Sequence, residues 1–175
     1  MAQSENSRWR IAAWLALGAA AAVAVALQTK RYLEAPIADK RPASAPQLRI
    51  DASDAVRVAR GKQLYAQACA SCHGAKLEGQ PNWREHLSNG RMPAPPHDAS
   101  GNTWHHADAV LFGITKHGLV PGVTAPAGYV SDMPAFGRSM SDDDIVAVLA
   151  YFESTWPDKV AAAQREVTDQ HASQP

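Results

Sequence analysis

The 175-residue sequence predicts an all-α fold, a small helical domain preceded by an N-terminal transmembrane or signal helix. Three observations lead there. Apolar residues recur at helical spacing in separate stretches, each opened by a capping residue. No stretch alternates polar and apolar residues as a half-buried strand does. One uncharged apolar run of seventeen residues, Ile11 to Leu27, stands apart near the N-terminus.

That run opens the chain's first segment, residues 1–28. At about 1.5 Å per residue it spans roughly 25 Å, slightly short of a hydrocarbon core of about 30 Å, and Trp9 and its neighbours extend it. Arg8 and Arg10 precede it, which suits a cytoplasmic N-terminus. Lys30 and Arg31 follow and weaken the asymmetry. Ala22-Val23-Ala24 and Ala24-Val25-Ala26 each fit a small-x-small cleavage site. The run is longer than the usual signal core of about 7–15 residues, which favours a retained anchor over a cleaved signal peptide. Both readings send the rest of the chain across the membrane. Residues 29–50 follow as a linker, where Pro36, Pro42 and Pro46 favour extended chain.

Residues 51–158 form the expected domain. Ser53 or Asp54 is placed to cap a first helix reaching about Ala68. Thr103 is placed to cap a second, through His105 to His117 and closed by Gly118, with Val110, Leu111, Ile114 and His117 on one face. Ser141 caps a third, and Asp142, Asp143 and Asp144 crowd its first turn, where the helix dipole favours negative charge. Ile145, Val148, Leu149, Phe152 and Trp156 make one apolar face before Pro157 ends the helix. Residues 159–175 are a polar, Ala-rich tail whose composition suits either a loose helix or no fixed structure. Three helices make a thin core, and the long loops 74–102 and 118–139 need something to pack on.

The charge balance excludes some functions. Formal net charge is zero, and residues 51–157 hold eight Lys/Arg against eleven Asp/Glu, so nothing suggests a nucleic-acid partner. The only two cysteines are three positions apart, so this is no multi-disulfide scaffold.

Cys69-Ala70-Ser71-Cys72-His73 is a C-x-x-C-H motif. Two thiols at a helix end can each reach one vinyl group on a haem edge, which leaves the adjacent His beneath the iron. A zinc site would need about four ligands, and no second Cys pair exists. A thioredoxin-like redox pair would want a βαβ setting, which is absent. A disulfide between such close positions would be strained. The motif therefore predicts one covalent haem c, with its iron on His73, and that haem would supply the surface the long loops lack.

The iron then needs a second ligand far along the chain. Met133, in Ser131-Asp132-Met133-Pro134-Ala135-Phe136-Gly137, lies in a loop just before the last helix. Its thioether is a soft, neutral ligand that favours ferrous iron. Met92, nineteen positions after His73, is the backup, and Met140, beside the helix cap, is read as core.

With these pieces the domain resembles class I cytochrome c of the membrane-linked bacterial monohaem type, from about Asp54 to Trp156. Gly61-Lys62-Gln63-Leu64-Tyr65 resembles that family's first helix, Cys69-x-x-Cys72-His73 its haem site, and Met133-Pro134-Ala135-Phe136 with the Tyr151-bearing helix its methionine loop and last helix. The resemblance implies that first and last helices cross with Gly61 against Tyr151. It also implies that a Pro-loop carbonyl receives the Nδ1–H of His73. Pro93, Pro95 and Pro96 are the candidates, with Pro95 preferred.

One stretch departs from that pattern, Pro93 to His106, PAPPHDASGNTWHH. His97, His105 and His106, with Asp98 and Asp108, could be read as a second metal site. Adjacent side chains on a helix point about 100° apart, however, which favours loop packing, with Trp104 covering the haem edge.

Both axial positions filled imply an electron carrier rather than an enzyme. Expected partners are a membrane donor such as a quinol-oxidising complex, and an acceptor such as a terminal oxidase, copper protein or periplasmic reductase. The resemblance implies a domain on the periplasmic side of the cytoplasmic membrane, tethered by Ile11–Leu27 or soluble if that segment is cleaved. Two rival readings are a haem protein with a displaceable Met133 doing peroxidase-like or gas-binding chemistry, and a copper-handling module built on the His-rich loop.

Overall fold

A computed structural model describes residues 48–173. The expected N-terminal apolar helix and nearly all of the expected linker lie outside the described residues. Within them the elements are all helical, joined by long loops. The only β-type pairing among the described residues is an isolated bridge between Pro121 and Ala125.

Helix α1 runs Ala55–Ala68. Asp54 is its cap, accepting from the backbone N–H of Val56 and of Arg57 at 3.1 Å each, which satisfies two donors that the first turn leaves free. Ser53 is occupied otherwise, bonding the Asp51 carboxylate. After a break at Cys69 the chain winds into the short helix α2, Ala70–His73, which Gly74 ends at φ 80°.

The second expected helix is shorter than its sequence suggests. Thr103–His105 is only a 3₁₀ turn, His106 is extended (φ −109°, ψ 142°), and α3 starts afresh at Asp108–His117. Thr103 does not cap it, because its hydroxyl oxygen lies 2.8 Å from His97 Nδ1 and 3.3 Å from Pro96 O. Gly118 closes α3 as expected, at φ 81°. The buried line on α3 is Asp108, Leu111 and Thr115, while His117 is exposed.

Helix α4, Asp142–Ser154, carries the predicted cap, with Ser141 Oγ accepting from Asp144 N at 3.1 Å. Ile145, Val148, Leu149, Phe152 and Trp156 are all buried. The described part of the tail, too, is ordered. Asp158–Ala172 is a helix, α5, that buries Gln164 and Thr168.

The core is centred where α1 crosses α4. At Gly61 a Cβ would stand 1.8 Å from the carbonyl oxygen of Ala147, so only glycine permits this approach. The glycine therefore meets the backbone of Ala147, one turn before the expected Tyr151. Tyr151 meets Tyr65 instead, with ring centroids 5.5 Å apart. Tyr65 also packs edge-on to Phe152 at 5.7 Å.

A second, polar cluster ties Ile50 and helix α5 to α3. The Asp108 carboxylate accepts from Ile50 N at 2.8 Å, from Thr168 Oγ1 at 3.1 Å, and from Gln164 Nε2 in a short contact. Arg49 forms an ion pair with Asp169 of α5.

Candidate functional site

The C-x-x-C-H residues are placed by the α1–α2 junction. The Cys69 carbonyl accepts from Cys72 N at 3.1 Å and from His73 N at 2.9 Å. This tight turn brings Cys69, Cys72 and His73 to the wall of one cleft of about 290 Å³. Cys69 and His73 are buried, and Cys72 is exposed. Burial pushes the Cys69 thiol up to about 11, with Cys72 a smaller cause.

The proline loop orients His73. Its Nδ1–H donates to Pro95 O at 2.9 Å, the carbonyl preferred among the three candidates. Loop 74–102 is stitched down by Gly79 N to His73 O at 2.8 Å, Gln80 N to Ala94 O at 2.9 Å, and His97 N to Leu77 O at 2.8 Å. Gly79 and Gly101 both press on Pro96, where a Cβ would lie 2.4 Å and 2.0 Å from its backbone atoms. Burial lowers the His73 pKa, and the Pro95 bond acts in the opposite sense. The ring is thus a neutral imidazole, the form that ligates metals, with Nδ1 engaged and Nε2 left over.

Met133 lines the same cleft as His73 and both cysteines. Its loop is anchored by Met133 N to Ser131 Oγ at 3.1 Å, Phe136 N to Thr115 O at 3.0 Å and Gly137 N to Lys116 O at 2.9 Å. The backup residue Met92 also lines the cleft, tied to the methionine loop through Met92 N to Val130 O at 2.9 Å. Met140 does not line it and packs against the core, as expected. Leu111, Val148, Leu149, Phe136 and Phe152 give the cleft an apolar interior.

The His-rich stretch is dispersed. His97 lies flat against His73 and, like His106, lines the cleft, while His105 stacks on Trp104 with centroids 3.7 Å apart. Among the described residues no three His, Cys, Asp or Glu side chains gather as a metal-binding group. Trp104 is not part of the cleft wall, contrary to the expected cover of a haem edge. It packs on the core. The wall also includes Asn102 and Tyr129, which sequence reasoning missed because no spacing rule marks single polar residues in loops. Burial raises the Tyr129 phenol and lowers His106, where His105 adds a smaller effect.

The donor set fits a haem. Two sulfurs three positions apart, a neutral imidazole held by a carbonyl, and a thioether all share one largely apolar cleft.

Comparison with known proteins agrees. Residues 58–156 match the family model described as cytochrome c. The chain is similar to the cbb3-type cytochrome c oxidase subunit CcoP of Azospirillum brasilense, 30% identical over 99 residues, which covers 57% of this chain and 28% of that protein. It is also similar to the CcoP subunit of Azospirillum sp. (strain B510), 33% identical over 102 residues, covering 57% and 29%. The chain therefore spans under a third of the length of these relatives. No solved structure matches it. Among the described residues no helix is long and apolar enough to cross a membrane. The all-helical domain, the C-x-x-C-H cleft and the family match agree: the chain belongs to the cytochrome c family, with one covalently attached haem c.

Proposed function

We propose that this protein is a one-electron carrier and not an enzyme, with Cys69 and Cys72 as the thioether positions and His73 and Met133 as the axial ligands. The observation that supports it most is that His73 and Met133 wall the same cleft as both cysteines, with His73 oriented by Pro95 O. When bound, the haem supplies a reversible Fe(III)/Fe(II) couple. The chain's own residues do the rest. His73 and Met133 set the ligand field, the apolar wall keeps water out, and the cross-tied loops limit rearrangement on electron transfer. With both axial sites filled, no position is left for substrate.

The electrons pass between membrane respiratory components or periplasmic redox partners. The two relatives named as subunits of a cbb3-type oxidase favour a terminal oxidase as the acceptor, with a quinol-oxidising complex as a donor of suitable chemistry. Ile11–Leu27 serves as an anchor in the cytoplasmic membrane, and the tether raises the domain's effective concentration near such partners. A copper protein or a periplasmic reductase is the alternative acceptor.

The test is spectroscopic. Purified protein should show one covalent haem by mass and by the pyridine haemochrome. Its ferric form should show the weak red charge-transfer band of methionine-ligated haem, lost in Met133→Ala and kept in Met92→Ala. Rapid binding of carbon monoxide by the reduced protein would instead favour a displaceable Met133 and gas-binding or peroxidase-like chemistry. Stoichiometric copper uptake that needs His97, His105 and His106 would favour the copper-handling reading.

A further inference from the structure

His97 is one residue in the His-rich stretch that the carrier reading leaves without a role. Its ring lies nearly parallel to that of His73, with centroids 4.0 Å apart and planes at 22°. On the other side it lies on Phe152, at 4.2 Å and 11°. Tyr65 closes a third side edge-on, at 6.5 Å and 75°. Phe152, His97 and His73 thus form a flat three-ring stack ending on the C-x-x-C-H histidine.

Position 97 is unusually well fixed for a loop residue. Its backbone N–H donates to Leu77 O at 2.8 Å, and its carbonyl accepts from Trp156 Nε1 at 2.8 Å. Its ring is locked as well, by a 2.8 Å bond between Nδ1 and Thr103 Oγ1. Thr103 is buried in turn and reaches Pro96 O at 3.3 Å. His97 also follows Pro95 by two residues, so one loop supplies both the carbonyl that bonds His73 Nδ1 and the ring that covers its face.

A single hydrogen bond at Nδ1 restrains rotation of the imidazole about its Cβ–Cγ bond only loosely, because such bonds tolerate a range of angles. A flat ring pressed on its face removes that freedom. We propose that His97 is a positioning residue for His73, holding the plane of the axial imidazole and strengthening its bond to Pro95. This rests on the reading of His73 as an iron ligand.

The consequence for the redox couple has a definite sign. The Pro95 bond makes His73 a more basic ligand and so favours the ferric state, and partners of this kind tune a metal site. The imidazole of His97 adds a polar face where an aliphatic side chain would be apolar. Replacing it by leucine weakens the first effect and removes the second, and both changes disfavour ferric iron.

The experiment uses the full-length holoprotein with His97→Leu, His97→Phe and Thr103→Val. Covalent haem content is checked first by the pyridine haemochrome. Potentiometry and the low-spin ferric EPR g-values are then the readouts, because packing loss that admits water would lower the potential, opposite to the rise expected here. His97→Leu is expected to raise the midpoint potential and shift the g-values. His97→Phe keeps a flat ring in the stack and is expected to hold the g-values close to wild type. Thr103→Val frees the ring and is expected to move them in the same direction as His97→Leu, which supplies the answer if the leucine variant loses haem. Wild-type potential and g-values in His97→Leu, or in Thr103→Val where that variant stands in, would overturn the proposal. So would a phenylalanine variant whose g-values are as perturbed as those of the leucine one. A His73→Ala variant that keeps the wild-type low-spin spectrum would instead defeat the reading of His73 itself.

Discussion

Two sulfurs of the haem motif sit in different surroundings, Cys69 buried and Cys72 exposed. Both are proposed attachment points, so Cys69→Ala or Cys72→Ala should lose stable attachment, read as loss of the haem mass from denatured protein. Met133→Ala should keep covalent haem and lower the midpoint potential, since a thioether favours ferrous iron. Potentiometry of Met133→Ala and Met92→Ala together separates the two methionines of the cleft wall, and only the first should move. At this scale much was legible beforehand. Cys69, Cys72, His73 and Met133 reach a common cleft, and Pro95 supplies the expected carbonyl. What could not be read was the partner of each loop histidine. A contact such as His97 on His73 joins residues 24 positions apart through the path of a proline turn, and periodicity carries no information about that path.

Among the elements, the α1–α4 crossing rests on the absence of one side chain. Gly61→Ala would drive a Cβ into the backbone of Ala147, which cannot yield as a flexible side chain would. Overpacking of this kind costs about 1–3 kcal/mol or more, and the variant should show a markedly lower Tm in calorimetry of the holoprotein. A second prediction concerns Glu153 on α4. Burial, with Asp108 nearby, pushes its pKa up to about 9, while Arg165 pulls the other way. One of its carboxyl oxygens is buried without a protein partner. In the unfolded chain the group ionises near its ordinary 4.5. From there up to about pH 9 the unfolded state sheds a proton that the folded state keeps, so its influence favours folding most below pH 4.5 and declines as pH rises. Glu153→Gln should flatten that slope, raising Tm more at pH 8 than at pH 5. An unchanged Tm–pH profile would count against a protonated Glu153. The helix boundaries teach a related lesson. Asp54 and Ser141 cap where expected, their carboxylate and hydroxyl accepting from the first-turn N–H groups at 3.1 Å. Thr103 does not, because His97 and Pro96 claim its hydroxyl from six or seven residues upstream.

Across the molecule, the long loops that look surplus in sequence build the cleft, and α5 closes the polar cluster around Asp108, where Gln164 also reaches the carbonyl of the cleft residue His106 at 3.3 Å. Gln164→Ala should destabilise the fold by about 1–3 kcal/mol, since it leaves the buried Asp108 carboxylate short of a donor. Thermal unfolding compared with an exposed control such as Gln170→Ala would check this. The apolar run Ile11–Leu27 belongs to this scale as well, and its proposed role as an anchor is open to a membrane-fractionation test with and without residues 1–28. By itself the sequence determined the helical class, the burial of one face of α4, and the residues of the C-x-x-C-H and methionine segments. These depend on short-range periodicity and on the chemistry of neighbouring side chains, both of which are written within a few turns of chain. Only the tertiary structure decided that the polar tail is a packed helix, that Gly61 meets Ala147 rather than Tyr151, and that His97 stacks on His73. Each of these turns on which distant surfaces meet, and that follows from the packing of the described residues, 48–173, around their cleft rather than from any local preference.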